Sequence, residues 1–208
     1  MDEQMNHREA ERMPMIGDTA PAFRAMTTRG KVNFPADYKG SWTVFFSHPA
    51  DFTPVCTTEF ITFSRAAQEF AALNTRLLGL SIDSLHSHLA WVKSIEDITM
   101  EVARKYGMLQ TVARTQTVRA VFIIDPESVI RAILYYPMST GRSIPEILRM
   151  VRALQLHDAE NVSTPADWTP GEDVLLGSPL TLEEADRRLN SGDGTLEPLS
   201  WYLTVRKQ

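Results

Sequence analysis

The chain has 208 residues, one cysteine and a formal net charge of −5; 43% of its residues are hydrophobic and 23% are charged. This composition is typical of a globular protein and argues against a disordered or collagen-like chain. One cysteine excludes an intrachain disulfide and a zinc site built only from cysteines, and the mild acidity argues against broad binding to nucleic acid or anionic membranes.

The length and the first residues predict the organisation and the compartment. At about 100–200 residues per domain, we expect one domain with an appendage. Residues 1–14 are polar and rich in methionine, which predicts a frayed arm. The start lacks the apolar segment of a signal peptide, and no apolar run approaches the ~20 residues of a membrane span. We therefore expect a cytoplasmic protein.

Four short apolar runs predict the strands of a buried sheet. They are apolar along nearly their whole length, as is typical of strands that are covered on both faces. The last two are separated by the turn sequence 125–128 (DPES), which predicts an antiparallel hairpin. The four runs are Trp42–Ser47, Leu77–Ile82, Val118–Ile124 and Val129–Tyr136.

Helical patterns alternate with these runs. Apolar residues recur at steps of three and four in three segments, and capping-box patterns open two further helices at Ser143 and Thr181. The order of strands and helices predicts a layered α/β fold with a mixed sheet. The three periodic segments are Thr57–Leu73, Ser84–Ser94 and Met100–Tyr106.

The composition changes after His157. The prolines of segment 164–171 exclude regular structure there, and the end of the chain is aromatic and β-prone. Fifty residues are too few for a confident independent core. We therefore expect a main domain at 15–157 and, at 158–208, an extension that packs on that domain or on a second subunit.

Cys56 follows a predicted strand and a loop with two prolines, and it lies at the start of a predicted helix. Pro54 is typical of a helix start. The unpaired N–H groups and the positive dipole end of a helix favour a thiolate at this position. A buried cysteine with a packing role and a reactive thiolate are about equally good interpretations of these residues.

The segment 49–56 (PADFTPVC) reads P-x-x-x-T-x-x-C and resembles the peroxidatic motif of the peroxiredoxins. The residues around it are similar to those of the one-cysteine, type-six subgroup. Three downstream blocks extend the resemblance from about Met15 to the C-terminus: 118–125, 141–143 and 162–168. The resemblance implies a thioredoxin-like three-layer fold with a mixed central sheet and a C-terminal extension.

The resemblance also implies a thiol-dependent peroxidase that reduces hydrogen peroxide and organic hydroperoxides, with a part in antioxidant defence and redox homeostasis. Cys56 would attack a peroxide oxygen and become a sulfenic acid. Thr53 and Arg119 would hold the peroxide and the thiolate, and Pro49 would shield the thiolate from water. Structural roles remain open: Thr53 as a helix cap, Pro49 as a loop breaker and Arg119 as a surface charge.

Three further residues match the subgroup as supporting groups. His48 would sit beside the pocket, Glu59 would belong to a network at the helix start, and Arg142 would support the site. The alternatives are that His48 is a hydrogen-bonded loop histidine, that Glu59 is a surface acid and that Arg142 forms a surface ion pair.

The single thiol has consequences for partners. Without a resolving cysteine, the sulfenate must be reduced by an external thiol or another reductant. The resemblance implies no organic or metal cofactor. It implies a homodimer that uses the C-terminal extension, and the family also builds decameric rings from dimers.

The sequence offers weaker support for other functions. His86 and His88 fall in a helical pattern, in which residues two apart point in different directions, and the five scattered histidines predict no ligand cluster. Segment 39–43 (KGSWT) lacks both outer glycines of the G-x-S-x-G pattern of serine lipases. A thiol sensor or chaperone on the same scaffold stays open, because sensor and enzyme both need a reactive exposed cysteine.

The segment between Trp91 and Tyr106 is shorter than in the family and lacks a strand that relatives carry. Either the sheet has lost a strand or residues are absent from the sequence as given. We favour absent residues, because a lost strand would leave backbone groups without partners.

Overall fold

The computed structural model describes residues 13–99, 110–111 and 119–208, and it divides into two compact units, Met1–Ile144 and Pro145–Gln208. The predicted arm at residues 1–14 lies almost wholly outside the described residues, and the predicted helix Met100–Tyr106 lies entirely outside them. No helix among the described residues is long and apolar enough to cross a membrane.

The first unit is built on a seven-stranded sheet with the order β2-β1-β5-β4-β3-β6-β7. Strand β3 is central: it runs parallel to β4 and antiparallel to β6, so the sheet is mixed. The unit has a thioredoxin-like α/β fold. The strands are β1 (Phe23–Thr27), β2 (Gly30–Phe34), β3 (Trp42–Ser47), β4 (Thr75–Ser81), β5 (Gln110–Thr111), β6 (Arg119–Ile124) and β7 (Ile130–Tyr136).

The four predicted strands are confirmed, with ends that differ by no more than two residues, and β6 and β7 form the predicted antiparallel hairpin. The sequence does not predict the hairpin of β1 and β2, in which Thr27 faces Gly30. Gly30 has a φ of 109°, which a residue without a side chain adopts at little cost.

Four α-helices and one short 3-10 helix (Ala36–Tyr38) are described, and the 3-10 helix and the first two α-helices belong to the sheet unit. The 19-residue α1 begins at Pro54, and α2 runs five residues past the predicted end at Ser94. Strand β3 alternates its side chains between the two sheet faces; Phe46 stacks on Phe63 of α1 with ring centres 4.4 Å apart. The helices are α1 (Pro54–Ala72), α2 (Leu85–Thr99), α3 (Ile144–Glu160) and α4 (Leu182–Leu189).

The second unit contains α3 from Pro145 onward, α4 and a four-stranded antiparallel sheet that the sequence does not predict. Its small core consists of Val162, Trp168 and Val174. The Thr181 side chain accepts a hydrogen bond from the backbone N–H of Glu184, which confirms the predicted cap of α4. The strands, in the order β10-β11-β9-β8, are β8 (Val162–Ser163), β9 (Val174–Leu176), β10 (Leu196–Pro198) and β11 (Thr204–Arg206).

The short segment after Trp91 is a real feature of the chain. The full sequence of 208 residues runs without a break through this segment, so the expectation of absent residues is wrong. The two-residue β5 pairs with the ends of β4 and β1 at this position of the sheet. Residues 100–109, between α2 and β5, lie outside the described part.

Candidate active site

Cys56 is the third residue of α1, directly beyond the loop that follows the central strand β3. The first N–H groups of a helix have no partners within the helix and carry its positive dipole end. Cys56 has no exposed surface, which differs from the exposed thiol expected from the sequence. Burial alone would suit a packing role, so its polar neighbours decide how the sulfur is used.

Arg119, the first residue of β6, brings a cation to this sulfur. Its Nη1 donates a hydrogen bond to Cys56 Sγ at 3.3 Å and one to Glu59 Oε2 at 2.8 Å, and its Nε donates to the carbonyl of Met138 at 3.0 Å. Only 3% of Arg119 is exposed. A buried cation needs such partners, and this one shares them with the thiol.

Glu59 lies one turn after Cys56 on α1 and joins two arginines. Besides Arg119, its Oε1 accepts a hydrogen bond from the backbone N–H of Arg142 at 2.9 Å, and its Oε2 is 3.2 Å from Arg142 Nη2. Arg142 Nη2 also donates to the carbonyl of Ser47 at 2.5 Å. Arg119, Glu59 and Arg142 are all buried. The alternative interpretations of these residues as a surface charge, a surface acid and a member of a surface ion pair are therefore wrong.

The charges of Arg119, Arg142 and Glu59 do not balance. Two guanidiniums and one carboxylate leave one positive charge next to the Cys56 sulfur. Burial lowers the pKa of Arg142, and the negative charge of Glu59 opposes that effect. Unbalanced charge is costly in a buried site, so this group suits a negatively charged partner next to Arg119.

Thr53 and Pro49 lie in the loop between β3 and α1. Thr53 occupies the N-cap position, but its side chain makes no capping bond; its hydroxyl donates instead to the carbonyl of Ala50 at 2.9 Å. Pro49 is buried in the same loop, and Phe52 at its tip is exposed with a φ of 54°. A non-glycine residue with this φ is uncommon, so the loop holds a constrained conformation next to Thr53.

A second buried polar cluster consists of His48, Asp51 and His88. His48 Nε2 lies 3.0 Å from Asp51 Oδ1, and His88 Nδ1 lies 2.7 Å from Asp51 Oδ2. The rings of Phe60 and Trp91 flank His48, with ring centres 4.9 and 5.2 Å away. The expectation that the histidines form no cluster is therefore wrong.

Burial and the hydrogen bonds to the shared carboxylate shift the pKa values of His48 and Asp51. Burial by itself would raise the pKa of Asp51, but hydrogen bonds from His48 and His88 outweigh it and lower the pKa to about 2. Burial lowers the pKa of His48, although Asp51 opposes this. No sequence spacing could have shown the cluster, because 37 positions separate Asp51 from His88.

A family-model comparison matches two parts of the chain. Residues 16–133 match the AhpC/TSA family, and residues 153–192 match the C-terminal domain of 1-Cys peroxiredoxin. A peroxiredoxin of Methanosarcina mazei is 52% identical over 215 positions, covering 94% of this chain and 98% of the relative. A peroxiredoxin of Aquifex aeolicus is 46% identical, covering 96% and 99%. The 215 aligned positions exceed the length of the chain, so the Methanosarcina protein has residues with no counterpart here.

Two solved structures are similar over the same span. A yeast mitochondrial 1-Cys peroxiredoxin, described for thiol resolution via glutathione/thioredoxin systems, has a TM-score of 0.81 and 36% identity, covering 94% of this chain and 100% of its own. A cysteine-to-serine mutant of peroxiredoxin 6 of Arenicola marina has a TM-score of 0.78 and 33% identity, covering 94% and 99%.

Proposed function

Since the chain belongs to the peroxiredoxins and is a thiol-dependent peroxidase with one cysteine, we propose that Cys56 reduces hydrogen peroxide and small organic hydroperoxides. An external reductant then restores the thiol. The observation that carries the assignment is the 3.3 Å hydrogen bond from Arg119 Nη1 to Cys56 Sγ.

The first half of the cycle is an attack of the thiolate on the terminal peroxide oxygen. The S–O bond forms as the O–O bond breaks, the sulfur becomes a sulfenic acid, and the departing alkoxide or hydroxide takes up a proton to leave as alcohol or water. Arg119 stabilises the negative charge on the sulfur before the attack and on the oxygens as the O–O bond lengthens. Glu59 and Arg142 hold Arg119 in place.

The loop before α1 positions the peroxide in this proposal. The Thr53 hydroxyl donates to Ala50, so its lone pairs can accept a hydrogen bond from the peroxide O–H. Pro49 excludes water from the sulfur, and His48 borders the pocket. Because Cys56 has no exposed surface, the residues that cover it must move before a peroxide can reach the sulfur.

The second half of the cycle uses a reductant from outside the chain. A thiol attacks the sulfenic sulfur and releases water, and a second thiol breaks the mixed disulfide and returns Cys56 as a thiolate. The sequence contains no second cysteine that could take the first of these steps. The yeast relative is described with glutathione and thioredoxin systems, so both are the first reductants to test. The reaction would serve antioxidant defence and redox homeostasis in the cytoplasm.

A homodimer is the second part of the proposal. Large apolar side chains of the second unit are exposed, among them Leu180 at 93%, Leu182 at 85% and Trp201 at 60%. Such a group is costly in water and typical of a contact surface. A second copy would cover it, and dimers of this kind can assemble into decamers. Analytical ultracentrifugation of Leu182→Ser and Trp201→Ser should show monomers. Met26→Ser, at an exposed residue of β1, should leave the assembly unchanged, and monomeric wild type would contradict the proposal.

The decisive experiment measures the rate of sulfenate formation. Reduced protein mixed with hydrogen peroxide in stopped flow should react at least about 100-fold faster than a small-molecule thiol, the scale of one well-placed stabilising donor. Steady-state turnover is then measured with thioredoxin, glutathione with its transferase, small thiols and ascorbate. Ordinary thiol reactivity, or one oxidation without turnover by any reductant, would favour a sensor over an enzyme.

A further inference from the structure

The His48, Asp51 and His88 cluster offers two imidazoles and one carboxylate from two separate elements. His48 and Asp51 lie in the loop after β3, and His88 lies on α2. One ligand atom from each lies within 4.8 Å of the others, and all three residues are buried. Cys56, Glu59 and Arg119, which form the sulfur site, do not belong to this group.

We propose that His48, Asp51 and His88 bind one divalent transition-metal ion of the zinc class. Two imidazole nitrogens and a carboxylate oxygen are a ligand set that zinc accepts, whereas calcium and magnesium prefer oxygen ligands alone. Three protein ligands leave one position of a four-coordinate ion for a solvent molecule. The carboxylate offsets half of the charge of the ion in a buried site.

The distances in the cluster are close to those of a coordination sphere. The N···O separations are 3.0 and 2.7 Å. With ligand bonds of about 2.0–2.2 Å, neighbouring ligands of a tetrahedral zinc ion lie roughly 3.3 Å apart. Each imidazole nitrogen must therefore move from the carboxylate by a few tenths of an ångström, and its proton passes to the other ring nitrogen as the metal takes its place.

The surroundings hold the ligands in position. The backbone N–H of Asp51 donates to Asp83 Oδ2 at 2.6 Å, and Ser81 Oγ donates to the same oxygen at 3.2 Å. Partners of this kind around a metal site orient the ligands and raise affinity.

The test is a titration with Co²⁺, followed by visible absorption, of wild type and Cys56→Ser after removal of metals by chelator. We expect one equivalent to bind to both proteins, with the bands of a nitrogen- and oxygen-ligated four-coordinate ion and no sulfur-to-cobalt charge transfer. Zn²⁺ should displace the Co²⁺. A charge-transfer band that disappears in Cys56→Ser together with binding would place the metal on the thiol and overturn the proposal.

A pair of variants on α2 tests the ligands. His88→Asn keeps a donor toward Asp51 but removes a ligand, and it should weaken Co²⁺ binding at least about 100-fold, since loss of even an outer partner costs 10–100-fold. His86→Asn, at an exposed histidine of the same helix, should bind as wild type does. Circular dichroism checks that both variants fold. Any of three results would overturn the site. His88→Asn could bind Co²⁺ as wild type does, or both variants could lose binding equally. In the third case, folded wild type would show no stoichiometric binding. Co²⁺ binding is measured without peroxidase activity, so the metal site can be tested even if the proposed reaction is not observed.

Discussion

Arg119 donates a hydrogen bond to the sulfur of Cys56 at 3.3 Å across 63 positions of sequence. The guanidinium comes from the start of β6, next to the central strand β3, and the thiol comes from the first turn of α1, which follows β3. The antiparallel pairing of β3 and β6 places the start of β6 near the end of β3, and so brings the two residues together.

Replacing Cys56 by serine should abolish peroxide turnover and leave the fold intact. A serine hydroxyl has nearly the shape of the thiol but does not ionise near neutral pH, so it does not attack the peroxide. Peroxide consumption with the best reductant measures activity, and a urea unfolding curve measures the fold. Substantial turnover by a folded Cys56→Ser protein would contradict the assignment of Cys56.

Replacing Arg119 by methionine should slow sulfenate formation by about 100- to 1000-fold, the usual effect of removing one charge-stabilising donor. Lysine should recover part of the rate, because it restores a charge but cannot reach the sulfur, Glu59 and Met138 together. Stopped-flow oxidation by hydrogen peroxide measures both. Arg131→Lys, on the neighbouring β7 and paired with Asp125, is the matched control and should react as wild type does. Equal rates for Arg119→Met and wild type would remove Arg119 from the mechanism.

Replacing Glu59 by glutamine should destabilise the protein by about 3–5 kcal/mol, because two buried guanidiniums lose the carboxylate between them. The free energy of unfolding from urea titration measures the loss. Glu146→Gln removes a partly exposed partner of Arg149 and should cost no more than about 1 kcal/mol. If both variants lose the same small amount, the Glu59 network does not hold this part of the fold.

Replacing Thr57 by valine should cost about 1–3 kcal/mol, because it leaves the indole N–H of buried Trp91 without its acceptor. The Thr57 hydroxyl accepts from Trp91 Nε1 at 3.2 Å and donates to the carbonyl of Thr53 at 2.9 Å, so it connects α2 to the first turn of α1. Urea unfolding followed by Trp fluorescence measures the change. Thr57→Ser should retain most of the stability, and Thr58→Val, at the exposed neighbour, should be nearly neutral. If Thr57→Val has the same free energy of unfolding as wild type, the hydrogen bond between Thr57 and Trp91 does not stabilise the fold.

Strands and helices with a strong local hydrophobic pattern could be predicted from the sequence. Strands too short to show such a pattern could not. The predictions of β3 and α1 succeed because continuous burial and a periodic apolar face each have one natural structure. The strands of the second unit are two or three residues long, too short for a pattern to emerge. Their small core depends on Trp168, which lies within the proline-containing segment 164–171.

The residues next to Cys56 determined the kind of site. The motif that ends at Cys56 and the helix start beneath it are local, so the sequence by itself was sufficient to predict a reactive thiol with Thr53 and Pro49 in its loop. The apolar run around Arg119 is also local, and a cation buried in such a run needs a partner. The resemblance that this motif carries implies the chemistry of a one-cysteine peroxidase, and the cysteine count excludes a second thiol within the chain.

Only the tertiary structure decided how the charges are paired. Glu59 lies between two guanidiniums and Asp51 lies between two imidazoles, and all of these contacts except the one between His48 and Asp51 join residues that are distant in the chain. Distance along a sequence carries no information about such pairs, because the pairing of strands and the docking of α1 and α2 set them. The sequence by itself determined the place of the cysteine at a helix start; the packed sheet decided which cation contacts it and brought the separate histidines to one carboxylate.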